Sequence, residues 1–148
     1  MSIDVGVFSY DEVHDMCRKI ANNVTTKYDH VIGISRGGVI PATILSHLLD
    51  LSRVRVHQIH DSIGKVITSP GNYLIVDEIF DTGETLKVVA NKIDHHVKSM
   101  FLPGDVVVDY AVLLLNADAV SGYDKVLYHA ETFNRRTNST WFHFPWET

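Results

Sequence analysis

The chain has 148 residues, of which 45% are hydrophobic and 21% charged, and its formal net charge is −5. This length and composition predict a single globular domain over residues 1–148, and the acidic balance without a long basic run argues against a nucleic-acid surface. No apolar run approaches the ~20 residues that cross a bilayer, and the N-terminus lacks a signal-peptide pattern. A single cysteine, Cys17, excludes an internal disulfide and fits a reducing compartment, so we expect a cytoplasmic protein.

The first predicted helix begins at a capping box, in which Ser9 is the N-cap and Glu12 follows three residues later. The apolar face of this helix has helical spacing and comprises Val13, Met16, Cys17, Ile20 and Val24. A short strand over residues 31–34 follows, and the next helix begins near Val39 with Pro41 in its first turn. The predicted core stripe of this second helix is Ile40, Ile44, Leu45, Leu48 and Leu49.

The loop between that strand and helix consists of Ser35, Arg36, Gly37 and Gly38. Its glycines allow unusual backbone angles, and Arg36 supplies a permanent positive charge with forked donors. A strand, a glycine-containing loop and a helix N-terminus together indicate an anion site. A plain glycine turn is the alternative interpretation.

Three carboxylates and a short turn follow the next buried strand, which covers residues 73–76. The carboxylates are Asp77, Glu78 and Asp81, and the turn residues are Thr82, Gly83, Glu84 and Thr85. Unpaired N–H groups at the start of the following helix predict a second anion site. Carboxylates would repel an anion unless they hold a divalent metal or accept hydrogen bonds from sugar hydroxyls. A solvated strand end before a capped helix is the alternative.

This stretch reads V-D-E-I-F-D-T-G-E-T and resembles the phosphoribosyl-pyrophosphate (PRPP) binding motif of the type I phosphoribosyltransferases. The resemblance implies that Asp81, Thr82, Gly83, Glu84 and Thr85 bind the 5-phosphate of PRPP. It implies that Asp77 and Glu78 hold the ribose hydroxyls, directly or through Mg²⁺, and that Asp81 acts as general base. The implied pyrophosphate-binding residues are Ser35, Arg36, Gly37 and Gly38, with a cis peptide bond between Ser35 and Arg36.

Strands and helices alternate along the rest of the chain. After the motif, a helix carries an apolar stripe of Leu86, Val89, Ala90, Ile93, Val97 and Met100. Residues 105–115 predict the richest strand and residues 125–128 a short last strand, after an alternating strand at 53–60. The alternation predicts an α/β fold with a mostly parallel sheet and helices on both faces. The loop over residues 61–72 is shorter than the mobile hood of the resembling family; its expected contributors are Asp61, Ser62 and Lys65.

The tail, residues 139–148, is aromatic, and its W-x-x-x-P-W-[ED] pattern resembles the bacterial and archaeal xanthine-guanine and hypoxanthine-guanine phosphoribosyltransferases. The resemblance implies that Trp141 stacks on a purine and that the backbone of Phe142 touches its edge. Those enzymes bond the 6-oxo group with a lysine, whose place is taken here by Asn116, a neutral donor. A tail docked on the domain or on another subunit is the alternative. The adjacent Arg135 and Arg136 predict a solvated loop.

The leading interpretation is transfer of ribose 5-phosphate from PRPP to a 6-oxopurine with Mg²⁺, by a cytoplasmic homo-oligomer, a dimer or larger. The alternative is a PRPP- or nucleotide-binding regulator of the same fold, which the short hood and the missing lysine favour. A phosphatase-like hydrolase would need a second carboxylate two positions after the first, where this chain has Ile79 and Gly83.

Overall fold

The computed structural model describes residues 5–51, 54–57, 62–119 and 125–147. The strands are β1 (Val5–Val7), β2 (His30–Ile34), β3 (Val54–His57), β4 (Gly71–Phe80), β5 (Val106–Asn116), β6 (Val126–Phe133) and β7 (Trp141–His143). The helices are α1 (Tyr10–Asn23), α2 (Val39–Leu48) and α3 (Glu84–Met100), with a 3₁₀ turn at Ile63–Lys65. No helix among these residues is both long and apolar enough to cross a membrane.

The main sheet has five parallel strands in the order β3-β2-β4-β5-β6. Its central strands are apolar on both faces because helices cover both sides. One core contains α1 and α2, through residues such as Ile20 and Leu45. The other contains α3 and the 3₁₀ turn, through residues such as Ile93 and Ile63. The predicted α/β class with helices on both faces is confirmed.

The predicted helix faces are confirmed where the apolar spacing is strict. In α1 the buried residues are Val13, Met16, Cys17 and Ile20, and the capping box of Ser9 and Glu12 is formed. In α2 the predicted stripe was partly wrong, because Leu48 is 37% exposed and the buried residues are Pro41, Ala42, Leu45 and Ser46. A helix that is apolar nearly all round gives no periodic signal for its inner face. Met100, at the end of α3, is 67% exposed.

The last part of the chain differs from its prediction. The strand expected at residues 125–128 is longer, because β6 continues to Phe133 alongside β5. The predicted strand at 53–60 is described only as β3, since residues 52–53 and 58–60 lie outside the described ranges. β1 and β7 form a separate parallel pair that the sequence did not predict. Phe8, which follows β1, stacks on Phe142 and Phe144, so the aromatic tail docks on its own domain.

Candidate active site

Two loops leave neighbouring strands at one edge of the main sheet. β2 and β4 are parallel neighbours, and Gly33 lies beside Val76 in their register. Residues 35–38 follow β2 and residues 81–85 follow β4. Because parallel strands end at the same edge, both predicted anion loops lie at the carboxyl end of the sheet.

The loop after β2 packs closely against β4. The peptide bond between Ser35 and Arg36 is cis, as the resemblance implied. The N–H of Gly38 donates to the carbonyl of Ile34 at 2.9 Å. A Cβ on Gly38 would lie 2.1 Å from the carbonyl oxygen of Val76, so only glycine fits between the loop and the strand.

The side chain of Glu78, near the end of β4, reaches the first loop. A Cβ built on Gly37 would fall 1.1 Å from Glu78 Oε2, so the carboxylate occupies the space beside the Gly37 backbone. Glu78 lines a cavity of about 570 Å³ whose other lining residues are Arg36, Gly37, Ile40, Trp146 and Glu147. It also lines a recess of about 130 Å³ that includes Asp77 and residues 81–86. The two loops therefore face adjoining spaces that share Glu78 as a wall.

The second loop opens α3 without a side-chain cap from its N-cap residue. That residue, Gly83, has φ 81° and ψ 2°, the left-handed conformation that favours glycine. The N–H of Glu84 donates to Thr82 Oγ1 at 3.3 Å. Phe80 fills the space beneath Gly83, where a Cβ would lie 2.2 Å from its ring. The loop thus presents the positive end of α3 and the Thr82 hydroxyl to the recess, an arrangement that suits a phosphate.

The two carboxyl groups near the end of β4, Asp77 and Glu78, lie in a poorly solvated place that disfavours their charged forms. Burial, and then the charge of Glu78, raises the pKa of Asp77 to about 8, although the Glu78 N–H donates to Asp77 Oδ1 at 2.8 Å. Burial, and then Glu147, raises the pKa of Glu78 to about 7. Such a pair favours a bound cation.

The described residues contain no group of three or more His, Cys, Asp or Glu side chains that could enclose a metal. Mg²⁺ commonly takes one or two protein carboxylates and completes its shell with substrate phosphates and water. Asp77 and Glu78 therefore fit a Mg²⁺ ion shared with a phosphorylated substrate.

Arg135 is a site residue that the sequence did not predict. Its Nε lies 3.1 Å from Asp81 Oδ1, and its Nη2 lies 3.2 Å from Asp81 Oδ2, a bidentate ion pair. Its guanidinium carbon lies 4.8 Å from the Phe133 ring centre and 5.4 Å from that of Phe142. The prediction of a solvated loop was wrong for Arg135, whose side chain is 24% exposed, and right for Arg136, at 84%. The available signal was position, because Arg135 follows the carboxyl end of β6.

Asn116, the last residue of β5, organises the surroundings of Asp81. Its amide nitrogen donates to the Asp81 carbonyl at 3.0 Å and to Oδ1 at 3.4 Å. Its amide oxygen accepts from the N–H groups of Asp118 and Arg135 at 3.2 and 3.3 Å. The side chain predicted to bind the base is 5% exposed, and in this structure both ends of its amide have protein partners.

The tail is connected to Asp81 through Arg135. Nη1 of Arg135 donates to the carbonyl of Thr140, the residue before Trp141. Trp141 is 57% exposed, so its ring is open to a flat ligand, whereas Phe142 packs against Phe133 and Phe8. Arg135 thus joins the end of β4 to the predicted base-stacking segment.

The short hood predicted over residues 61–72 contains the 3₁₀ turn. Asp61 lies outside the described residues, Ser62 is the N-cap of the turn, and Lys65 is its last residue. That segment packs on α3, where His96 Nε2 lies 2.8 Å from the carbonyl of Ile67.

The chain matches the Phosphoribosyl transferase domain family over residues 8–148. It is similar to the xanthine-guanine phosphoribosyltransferase of Idiomarina loihiensis, with 28% identity over 94% of this chain and 84% of that protein. Its identity to the xanthine-guanine phosphoribosyltransferase of Desulfotalea psychrophila is 26%, over 95% of this chain and 84% of that protein.

Solved structures agree in fold. The purine phosphoribosyltransferase of Pyrococcus horikoshii Ot3 superposes with a TM-score of 0.72 at 27% identity, covering 99% of this chain and 95% of that one. The xanthine-guanine-hypoxanthine phosphoribosyltransferase of Helicobacter pylori gives 0.73 at 19% identity, with the same coverage, and supports the fold alone. With a family match over nearly its whole length and this shared type I fold, the chain belongs to the phosphoribosyltransferase family of enzymes.

Proposed function

We propose that this enzyme transfers ribose 5-phosphate from PRPP to a 6-oxopurine base, hypoxanthine, guanine or xanthine, and releases pyrophosphate in purine salvage. The observation that carries the proposal is the position of Glu78, whose carboxylate lies against Gly37 of one anion loop and lines the recess of the other. A sugar that carries phosphate groups at two ends spans these adjoining spaces. The xanthine-guanine phosphoribosyltransferases similar to this chain support the choice of a purine.

Each loop has its own role in this proposal. Residues 81–85 hold the 5-phosphate through N–H groups at the start of α3 and the Thr82 and Thr85 hydroxyls. Residues 35–38 receive the departing pyrophosphate, with the charge of Arg36 beside the larger cavity. When bound, Mg²⁺ neutralises part of the diphosphate charge, and Asp77 and Glu78 are the residues that would hold it.

The carboxylates of β4 also act on the reacting sugar. Asp77 and Glu78 face ribose hydroxyls, and their charge favours the positive charge that develops on the ring. Asp81 takes the ring proton of the attacking base, because it lies at the junction of the phosphate loop and the tail. Trp141 stacks on the base, and the Phe142 backbone borders it; a stacked ring contributes about 1–3 kcal/mol.

The test is a PRPP- and Mg²⁺-dependent screen of hypoxanthine, guanine, xanthine, adenine, uracil and orotate, following pyrophosphate release. We expect release with one or more 6-oxopurines, and loss of turnover in Asp81→Ala with PRPP affinity retained. Release only with a pyrimidine would overturn the purine assignment.

The second candidate is a PRPP- or nucleotide-binding regulator with little turnover. The bidentate pair of Arg135 with Asp81 favours it, because the carboxylate that would accept the proton is engaged. PRPP binding without pyrophosphate release from any base would select this candidate.

We further propose that residues 1–148 act as one domain in a cytoplasmic homo-oligomer. Sedimentation of the purified protein measures its oligomeric state, and a monomer would contradict this assembly.

A further inference from the structure

Arg135 and Asp81 place a hydrogen-bond donor and an acceptor side by side. Nη2 of Arg135 lies 3.2 Å from Asp81 Oδ2, and the guanidinium carbon lies 4.8 Å from the Phe133 ring centre and 5.4 Å from that of Phe142. Asn138 and Thr140 accept from Nη1, and Asp81 accepts from Nε. Among the described residues, Asp81 is the partner of Nη2, which carries two hydrogens. One donor position beside the carboxylate is therefore open.

We propose that Arg135 recognises the 6-oxo group of the base, an inference that rests on the proposed purine transfer. O6 and N7 lie side by side on one edge of a 6-oxopurine, the edge that arginine reads in guanine. A base that is protonated at N7 donates there to Asp81, and its O6 accepts from Nη2 of Arg135. The donor–acceptor pair of the protein thus matches the acceptor–donor pair of the substrate.

The same pair discriminates against a 6-amino group. The amino group of adenine would bring its own N–H donors against the guanidinium N–H, and a site built to bond an oxygen rejects such a ligand. Asn116 does not serve in this way here, because both ends of its amide bond to the protein around Asp81. Arg135 supplies a fixed positive charge instead, from the chain after β6 rather than from the end of β5.

A purely structural role for Arg135 makes a different prediction. If the guanidinium only positions Asp81 and ties down Thr140, its removal lowers turnover of every base to the same extent. If it also bonds O6, its removal lowers turnover of the bases that carry O6 more than turnover of those that lack it. A comparison of hypoxanthine with purine, which lacks the 6-oxo group, separates the two roles because a positioning effect cancels in the ratio.

The experiment measures kcat/KM for hypoxanthine and for purine, at saturating PRPP, in the wild type, Arg135→Gln, Arg135→Lys and Arg136→Gln. We expect Arg135→Gln to lower the hypoxanthine-to-purine ratio about tenfold or more, the discrimination of one good base contact. Arg135→Lys keeps the charge and retains part of the ratio. Arg136→Gln, at the adjacent exposed position, leaves the ratio unchanged.

An unchanged ratio in Arg135→Gln would overturn the assignment while the purine transfer stands. If Arg135→Gln does not fold, as judged by circular dichroism, Arg135→Met, which removes every donor, takes its place, and an unchanged ratio in that variant overturns the assignment equally. A wild type without turnover of any base would overturn the proposed transfer and, with it, the role of Arg135.

Discussion

Glu78 Oε2 lies 1.1 Å from the position that a Cβ on Gly37 would take, so the carboxylate of Glu78 packs directly against the Gly37 backbone in the first loop. The contact joins the two loops that we assign to the two ends of PRPP. It also predicts how the neighbouring glycines respond to an added methyl group.

Gly37→Ala should impair substrate use more than folding. The three atoms nearest to the added Cβ all belong to the end of the flexible Glu78 side chain, which can swing away, so we expect a stability loss below about 1 kcal/mol. The displaced carboxylate should lower kcat/KM for PRPP about tenfold to a hundredfold. In Gly38→Ala the Cβ meets the Val76 carbonyl, 2.1 Å away, so this matched variant should lose about 1–3 kcal/mol or more. Urea unfolding and steady-state kinetics measure both, and equal stabilities would contradict the packing argument.

Gly83→Ala should destabilise more than Gly104→Ala. Both glycines have left-handed backbones, with φ of 81° and 87°, which cost an alanine about 1–2 kcal/mol. Nothing lies within 4 Å of a Cβ on Gly104, whereas on Gly83 it would overlap the Phe80 ring. We expect Gly83→Ala to lose about 1–3 kcal/mol beyond the control. Equal losses of unfolding free energy in the two variants, measured in urea, would show that the Phe80 ring moves aside at little cost.

Stability without ligand should fall as the pH rises from about 4 to about 8. The pKa of Asp77 is raised to about 8 and that of Glu78 to about 7, mainly by burial. Between the ordinary carboxyl pKa and these values the folded state binds more protons than the unfolded state, so stability decreases with pH. Asp77→Asn removes part of this dependence and should stabilise the protein by about 1 kcal/mol or more at pH 9. Calorimetry from pH 5 to 9 tests this, and parallel Tm profiles would contradict it.

Mg²⁺ should bind more strongly over the same rise in pH, because Asp77 and Glu78 must lose their protons to hold it. Titration calorimetry with Mg²⁺ and pyrophosphate at pH 6 and pH 8.5 measures the effect. In Asp77→Asn we expect the affinity for Mg²⁺ to differ less between pH 6 and pH 8.5. An affinity that does not change with pH in the wild type would place the ion elsewhere.

Cys17 should react with thiol reagents only after unfolding. It is fully buried in α1, and burial raises its pKa to about 12, so little thiolate exists at neutral pH. Labelling with a disulfide reagent should be slow in buffer and should rise through the urea transition. Fast labelling of the folded protein would show that α1 opens locally.

Local patterns in the sequence were sufficient to predict where the two candidate anion loops lie. The loop residues 35–38 and 81–85 are continuous in sequence, and alternating strands and helices predict that they meet at one edge of a parallel sheet. The contact between Arg135 and Asp81 could not be predicted in this way. It joins the chain after β6 to the chain after β4, two strands that are not neighbours in the sheet, and it also involves the tail through Thr140.

The pairing of β1 with β7 could not be predicted from the sequence either. Each strand has three residues, too few to show a period, and their partners lie at opposite ends of the described chain. The inner face of α2 was missed for a related reason, since a helix that is apolar nearly all round gives no periodic signal for its buried side. The β1–β7 pairing and the buried face of α2 therefore depend on contacts between residues distant in the sequence, which local patterns do not reveal.

The parallel pairing of β1 and β7 also sets an order of assembly. β7 follows every strand of the main sheet along the chain, so during synthesis the ribosome delivers it after β2 and β4 have emerged. The nascent chain can form the loops after β2 and β4 before β1 has its partner strand. The segment that we assign to the base is therefore completed only after the two loops, once β7 has emerged.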